Sequence, residues 1–581
     1  MGKELRIKGG EKILATIRNF SATEKFIFGV FVAAIIFSAL SLALQVNNAF
    51  LVPIPAKGGT FTEGIVGLPR YINPVLSFTD VDQDLSALVY AGLMKYENGK
   101  LIPDLAEKYE ISEDGLVYTF TLRDEIRFHD GVPLTVEDVE FTLEKIQDNI
   151  IKSPRRTDWV SISVKKFNSK QIQFTLKQPY APFLSNTTIG ILPKHIWSKV
   201  SSDQFIFSNY NTEPIGAGPY KLQNIKRDSG GIPEYYTFSP FSRYHRSEAY
   251  ISNITIYFYP NEKSALEAYH GKVIGSIGGI SPGEAAIIAS TTPDAHVLHS
   301  PLPRVFGIFF NQNQAFILTK SEIRKALDMA LDKDLIVEQV LLGYGVRNDS
   351  PLPLGTIQAS SSVKIRADVE GAKNLLSKAG WTVGIGGILE KKEKTGTQTL
   401  EFSISTADSP DLKKAAEIIK AQWEKIGARV TIKVFEYGDL YQNIIATRKY
   451  DALLFGEFIG KDLDLYAFWH SSQRNAPGLN VAMYVNERVD RLLQEARTSA
   501  DEKIKNQKYE QFEKIIRDEV PAIFLYSPEF IYVVPKSIHG IELGRITTPS
   551  DRFSKVNSWY AATHNVWRIF VDKKNNKNIE N

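Results

Sequence analysis

Asp462, Asp464, Tyr466, Trp469, His470 and Asn480 gather acid, aromatic, imidazole and amide groups within one short stretch. Such a set can pair a ligand cation with a carboxylate, stack a planar group and hydrogen-bond main-chain-like atoms. The stretch follows an apolar run at 452–455 that breaks at Gly456. A buried strand therefore carries these side chains to its end, where α/β sheets place their ligands. A surface loop whose aromatics fill local core has the same composition, and that reading stays open. Asp462 and Asp464 are also two carboxylates close together, as glycoside hydrolysis requires. Residues separated by one position on a loop seldom face each other across a substrate, and solvation or pairing with Lys461 accounts for them equally well.

Catalytic groups elsewhere are sparse. The chain has no cysteine, which removes thiol nucleophiles, disulfides, cysteine-ligated zinc, iron–sulfur clusters and a cysteine-linked lipid anchor. Neither HExxH, a P-loop nor a full dinucleotide glycine fingerprint occurs. His296 and His299 are the closest histidine pair, but three residues apart on a strand they point to opposite faces. Gly279-Ile280-Ser281-Pro282-Gly283 fits the hydrolase elbow G-x-S-x-G. The residue after the serine must offer a backbone N–H to the oxyanion, and proline has none. The motif is read as a turn, and no enzyme activity, cofactor or metal is expected.

The elements that must position the polar stretch are legible in part. Tyr118, Phe120 and Leu122 alternate as in a half-buried strand, as do Ile172, Phe174 and Leu176, and Ile254, Ile256 and Phe258. Thr135 and Asp138 form a capping box ahead of a helix with Val136, Val139, Leu143 and Ile146 on one face. From about Arg304 strands and helices alternate. Thr319 with Glu322 predicts another boxed helix start, and Ser409-Pro410 opens a helix that Gly427 ends. A strand over 429–435 and helices over 487–498 and 502–518 complete an α/β pattern.

Residues 26–44 are an uncharged apolar run, close to the roughly 20 residues that span a bilayer as a helix. Six bases and three acids precede it, and the next base is Lys57, so the amino terminus is expected in the cytoplasm and the body outside. Ser41-Leu42-Ala43 keeps a cleavable signal peptide as the competing reading. The long run and long leader favour an uncleaved membrane anchor. The chain's formal charge of +3 is carried by this leader, so the body is close to neutral and no nucleic-acid partner is expected.

The ordered motifs at 101–146, ILPKHIW (191–197), GAGPYKL (216–222), 322–345, AKNLLSKAGW (372–381), YDALLFG (450–456) and VDRLLQEAR (489–497) resemble the extracytoplasmic solute-binding proteins of ABC transporters, peptide/oligopeptide class, family 5 type. The resemblance covers about 59–535. It implies an α/β, two-lobed periplasmic-binding-protein fold of the class II type, with an inserted extra subdomain and one transmembrane helix ahead of it. The expected division is a basic cytoplasmic segment (1–25), a transmembrane anchor (26–46), a tether (47–58), lobe I (59–85, 185–300 and 528–570), the insertion (86–184), lobe II (301–527) and a disordered tail (571–581).

It further implies capture of a peptide or other small solute in the interlobe cleft and delivery to ABC permease subunits. An oligosaccharide, opine or metal chelate as ligand, or a sensor or chaperone role, are the alternatives, with an exported hydrolase more remote. In peptide-binding relatives an aspartate just after the strand equivalent to 450–456 pairs with the ligand amine. Here those positions read Ile459-Gly460-Lys461, the acids come later at 462 and 464, and Glu457 stands where a tryptophan often follows the strand glycine.

Overall fold

The computed structural model describes residues 16–353, 366–394, 396–460, 463–499 and 501–571. Two units separate: Met1–Lys57 with Ala562–Asn581, and Gly58–Ala561. Asp462 and the tail beyond Val571 lie outside the described residues.

The first unit is built on the helix Ala22–Phe50, capped by a reciprocal box between Ser21 and Glu24 and with none of its side chains buried. It runs past the apolar segment by several residues. The tether then forms a strand, Leu51–Ala56, paired antiparallel with Ala562–Trp567. Residues 562–567, expected in lobe I, thus pair with the strand that follows this helix. Alternation is too weak in LVPIPA for sequence to signal a strand, and only the partner makes it one.

The second unit has two large hydrophobic cores. One gathers residues from Phe61 to Phe258 with Phe530 to Trp559, and the other runs from Val305 to Tyr526. Each is backed by its own part of a twelve-stranded sheet. In the first lobe Thr60–Val66 runs parallel to Asn253–Tyr259, which continues antiparallel to Pro233–Pro240 and Tyr220–Arg227. In the second, Glu401–Ala407 lies parallel to Arg429–Phe435, and Arg304–Phe310 lies antiparallel to Ala452–Phe458. The inserted subdomain is a four-stranded sheet, Ala106–Ile111, Val117–Leu122, Gln171–Thr175 and Ser163–Lys166, under the helix Val136–Gln147. Thr135 and Asp138 make the expected box, and every second residue of Val117–Leu122 is buried.

The lobes share one strand. Ala522–Pro535 pairs with Arg304–Phe310 through its first half and with Ala295–Pro301 through its second. Ser300–Arg304 runs beside it as a second crossing, held by the Leu302 amide donating to Pro528 (3.2 Å). Thr319 does not cap its helix. Its hydroxyl donates back to the Phe316 carbonyl inside a 3-10 turn, and Ser321–Met329 starts two residues later without a side-chain cap. The Gly279–Gly283 motif is a strand-to-helix turn, with Pro282 at the first position of Pro282–Thr291.

Candidate functional site

A cavity of about 510 Å³ opens where the lobes meet, within the range of roughly 300–1,000 Å³ usual for ligand pockets. Ser300, Pro301, Leu302 and Pro303 of the crossing form one side. Val346, Pro353, Ile459, Gly460 and Leu463 come from the second lobe, and Gly544, Arg545, Ile546 and Thr547 from the first. Each wall is pinned. The Ser300 hydroxyl donates to the Gly544 carbonyl (2.7 Å), the Ile459 amide to Pro303 (3.0 Å), and the Tyr509 hydroxyl to the Leu463 carbonyl (2.5 Å). The lining is mostly apolar and proline-rich. Arg545 is its one charged side chain among the described lining residues, and partial burial lowers its pKa.

Arg545 is positioned by a turn. Asn98 and Gly99 both take positive φ (53° and 71°) between the strands Met94–Glu97 and Lys100–Pro103, the hairpin geometry that Asn-Gly favours. The arginine stem lies on Gly99, where a Cβ would come within 2.9 Å of it. Sequence reading passed over Arg545, although Asn98-Gly99 was a strong hairpin signal that could have led to its support.

The polar stretch splits into two environments. Tyr466 and His470 stack at 4.1 Å, and the His470 ring also meets the Ser472 hydroxyl (2.8 Å). Arg497 lies over the Tyr466 ring (4.7 Å), is paired with Asp464 (3.2 Å), and reaches Tyr180 (5.4 Å), which packs on the first lobe's core. The Ala181 amide donates to the Arg497 carbonyl (3.3 Å). Asp464 and Tyr466 thus hold a lobe-to-lobe clasp, with Arg497 as the cation that the acid pairs.

Trp469 and Asn480 are interior. Trp469 is fully buried among Phe309, Tyr484, Phe512 and Phe524, so the stacking face expected of it is covered. The Asn480 amide donates to the Trp469, His470 and Tyr484 carbonyls and accepts from the Tyr484 amide, which shapes the loop and uses up its polar capacity. Asn480→Ala is expected to destabilise the chain by about 2–3 kcal/mol by stranding those groups, read as a lower urea midpoint.

Glu457 is a different case. It shares a sheet face with Val305, one step inward from Ile459 and Pro303. It is buried, and neither carboxylate oxygen has a hydrogen-bond partner. Burial raises its pKa well above the ordinary carboxylate value. The Trp469 indole offsets part of that rise without making a full hydrogen bond.

Residues 100–478 match the sequence profile of the bacterial extracellular solute-binding proteins, family 5 Middle. The chain belongs to this family. Among its family 5 relatives, the oligopeptide-binding protein AppA of Bacillus subtilis is 27% identical over 521 residues, 87% of this chain and 92% of AppA. The AppA structure in complex with a nonapeptide superposes with a TM-score of 0.66 at 26% identity, covering 88% of this chain and all of that one. NikZ from Campylobacter jejuni, solved with Ni(L-His), gives 0.68 at 27% identity, covering 86% and 99%. Family 5 proteins bind solutes for ABC transporters, and the two-lobed fold with its insertion is shared.

Proposed function

We propose that this family 5 protein is a membrane-anchored receptor that captures peptides in the interlobe cavity outside the cell and hands them to an ABC permease. The cavity carries the reading. Both lobes line it, so a ligand there favours the state in which they close on it, and Arg545 offers a charge-assisted bond to a peptide carboxylate. AppA's nonapeptide supports a peptide, and the bare helix Ala22–Phe50 supports the anchor. Of the residues singled out in sequence, Asp464, Tyr466 and His470 act in this reading through the clasp around Arg497.

Titration of the full chain in nanodiscs with peptide pools should give saturable binding, with native mass spectrometry identifying the retained species. Binding of nickel–histidine or haem with no response to any peptide pool would overturn the peptide reading. Arg545→Met is expected to weaken free-carboxylate peptides about tenfold or more, and carboxy-amidated peptides little, because a charge-assisted hydrogen bond contributes about 1.5–3 kcal/mol. Arg497→Ala is expected to lower affinity several-fold for both peptide types. Loss of the clasp raises the free energy of lobe closure by about 1 kcal/mol, the scale of a partly exposed ion pair with cation–π contacts.

A further inference from the structure

The helix Ala22–Phe50 outlasts its apolar run. At about 1.5 Å per residue, roughly 30 Å of hydrocarbon is used up between Phe26 and about Val46. Asn47 to Phe50 then fall in the headgroup layer, which adds roughly 5–8 Å on each side. The paired strand ends at this level. Leu51 is in register with Trp567. The Trp567 indole N–H donates to Asn47 Oδ1 (2.9 Å), and its ring stacks on Phe50 at 5.9 Å and 13°. Trp567 therefore has no freedom to sit at another depth than the helix end that holds it. Around it the surface is apolar and open: Phe50, Trp567 and Ile569 are all exposed, with Arg568 next in sequence.

We infer that the Ala562–Trp567 strand and the turn after it form a second membrane contact, with Trp567, Phe50 and Ile569 seated in the headgroup layer of the bilayer that the helix crosses. This rests on the anchor reading given above. A lipid interface is the occupant because the patch is continuous with a spanning helix and mixes indole, phenyl and aliphatic groups with a polar partner, the chemistry enriched at membrane boundaries. The contact makes the strand pair more than a spacer, because its free end is held at the level where the chain leaves the membrane.

The chain suits a direct test. Of its seven tryptophans, Trp159, Trp197, Trp381, Trp423, Trp469 and Trp559 are buried and Trp567 alone is not. The full chain is reconstituted into phosphatidylcholine–phosphatidylglycerol vesicles whose acyl chains carry bromine either near the headgroup or near the chain ends. Flotation with the vesicles after alkaline carbonate washing checks the anchor. The inference expects part of the emission to be quenched, more by shallow than by deep bromine, with that part absent in Trp567→Phe. Failure to float overturns the anchor reading and this inference with it. Flotation without quenching, quenching that persists in Trp567→Phe, or stronger quenching by deep bromine overturns this inference while leaving the anchor in place. Phe50→Ser should reduce the quenching without loss of flotation, since nothing else in the helix changes.

Discussion

Arg552→Met is expected to lower the stability of the large unit by about 3–5 kcal/mol, the cost of breaking a buried ion cluster from one side. Its guanidinium donates to Glu63 Oε1 (3.0 and 2.6 Å) and forks onto Asp84 Oδ1 and Oδ2 (both 2.7 Å), while the Tyr532 hydroxyl donates to Glu63 Oε2 (2.7 Å). All three charged side chains are 4% exposed or less. Removing the cation leaves two acids in the core with a single hydroxyl donor between them. Lysine is no substitute, because the fork serves two carboxylates at once.

The measurement is the urea midpoint by tryptophan fluorescence. The triple variant with Glu63→Gln and Asp84→Asn should recover much of the loss. A single variant within 1 kcal/mol of the parent would show that the cluster is not a stabilising element. The same site gives a pH dependence. Burial, only partly offset by Arg552 and reinforced by Glu63, raises Asp84 to about 6, against roughly 3.9 in an unfolded chain. Folding therefore takes up a proton between about pH 4 and 6, and stability declines as pH rises through that window. Asp84→Asn should flatten the decline.

Glu457→Gln is expected to stabilise the protein at neutral pH, an unusual sign for a buried substitution. The acid keeps its proton in the folded state because burial penalises its anion, whereas the unfolded chain releases it near pH 4.3. Each pH unit above that value, up to the folded pKa, costs the parent about 1.4 kcal/mol. Glutamine occupies the same volume and has no proton to retain. Parent and variant should match near pH 4 and diverge progressively toward pH 7.5, in the variant's favour, in thermal scans across buffers. Equal scans at every pH would show that Glu457 finds a charge-stabilising partner in solution. The residue sits one step beneath the cavity wall, so the cost is borne beside the proposed ligand site, where proteins tolerate local instability.

The parts of this architecture that depend on neighbouring residues were readable from them. The box at Thr135 and Asp138 and the alternation over 117–122 are local patterns, and the structure keeps them. The strand expected to break at Gly456 instead runs on to Phe458, because Phe306, Val305 and Arg304 of the neighbouring strand pair with its last three residues. What escaped depends on distant partners. Glu457 was visible as a polar group, but its isolation comes from the Trp469 side of the fold and from Val305 on the adjacent strand. Asp464 and Tyr466 stood out for ligand chemistry, and their cation proved to be Arg497, a helix away. Arg545 carries no pattern of its own. Its place is set by the Asn98-Gly99 turn, several hundred residues earlier. Thr319 misled because threonine followed three residues later by an acid also suits a 3-10 turn, in which the hydroxyl bonds backward.

The Arg552 cluster also sets an order of events during synthesis and export. Glu63 and Asp84 leave the ribosome first, and their cation follows 489 and 468 residues later. In between, the second lobe's core, from Val305 to Tyr526, emerges as one continuous piece and is free to fold from comparatively local contacts. The first lobe has to wait with two acids unneutralised and a strand position empty until the chain beyond Phe530 arrives. A chain cut short before Arg552 would thus carry one finished lobe and one that cannot close its core, leaving incomplete molecules open to proteolysis.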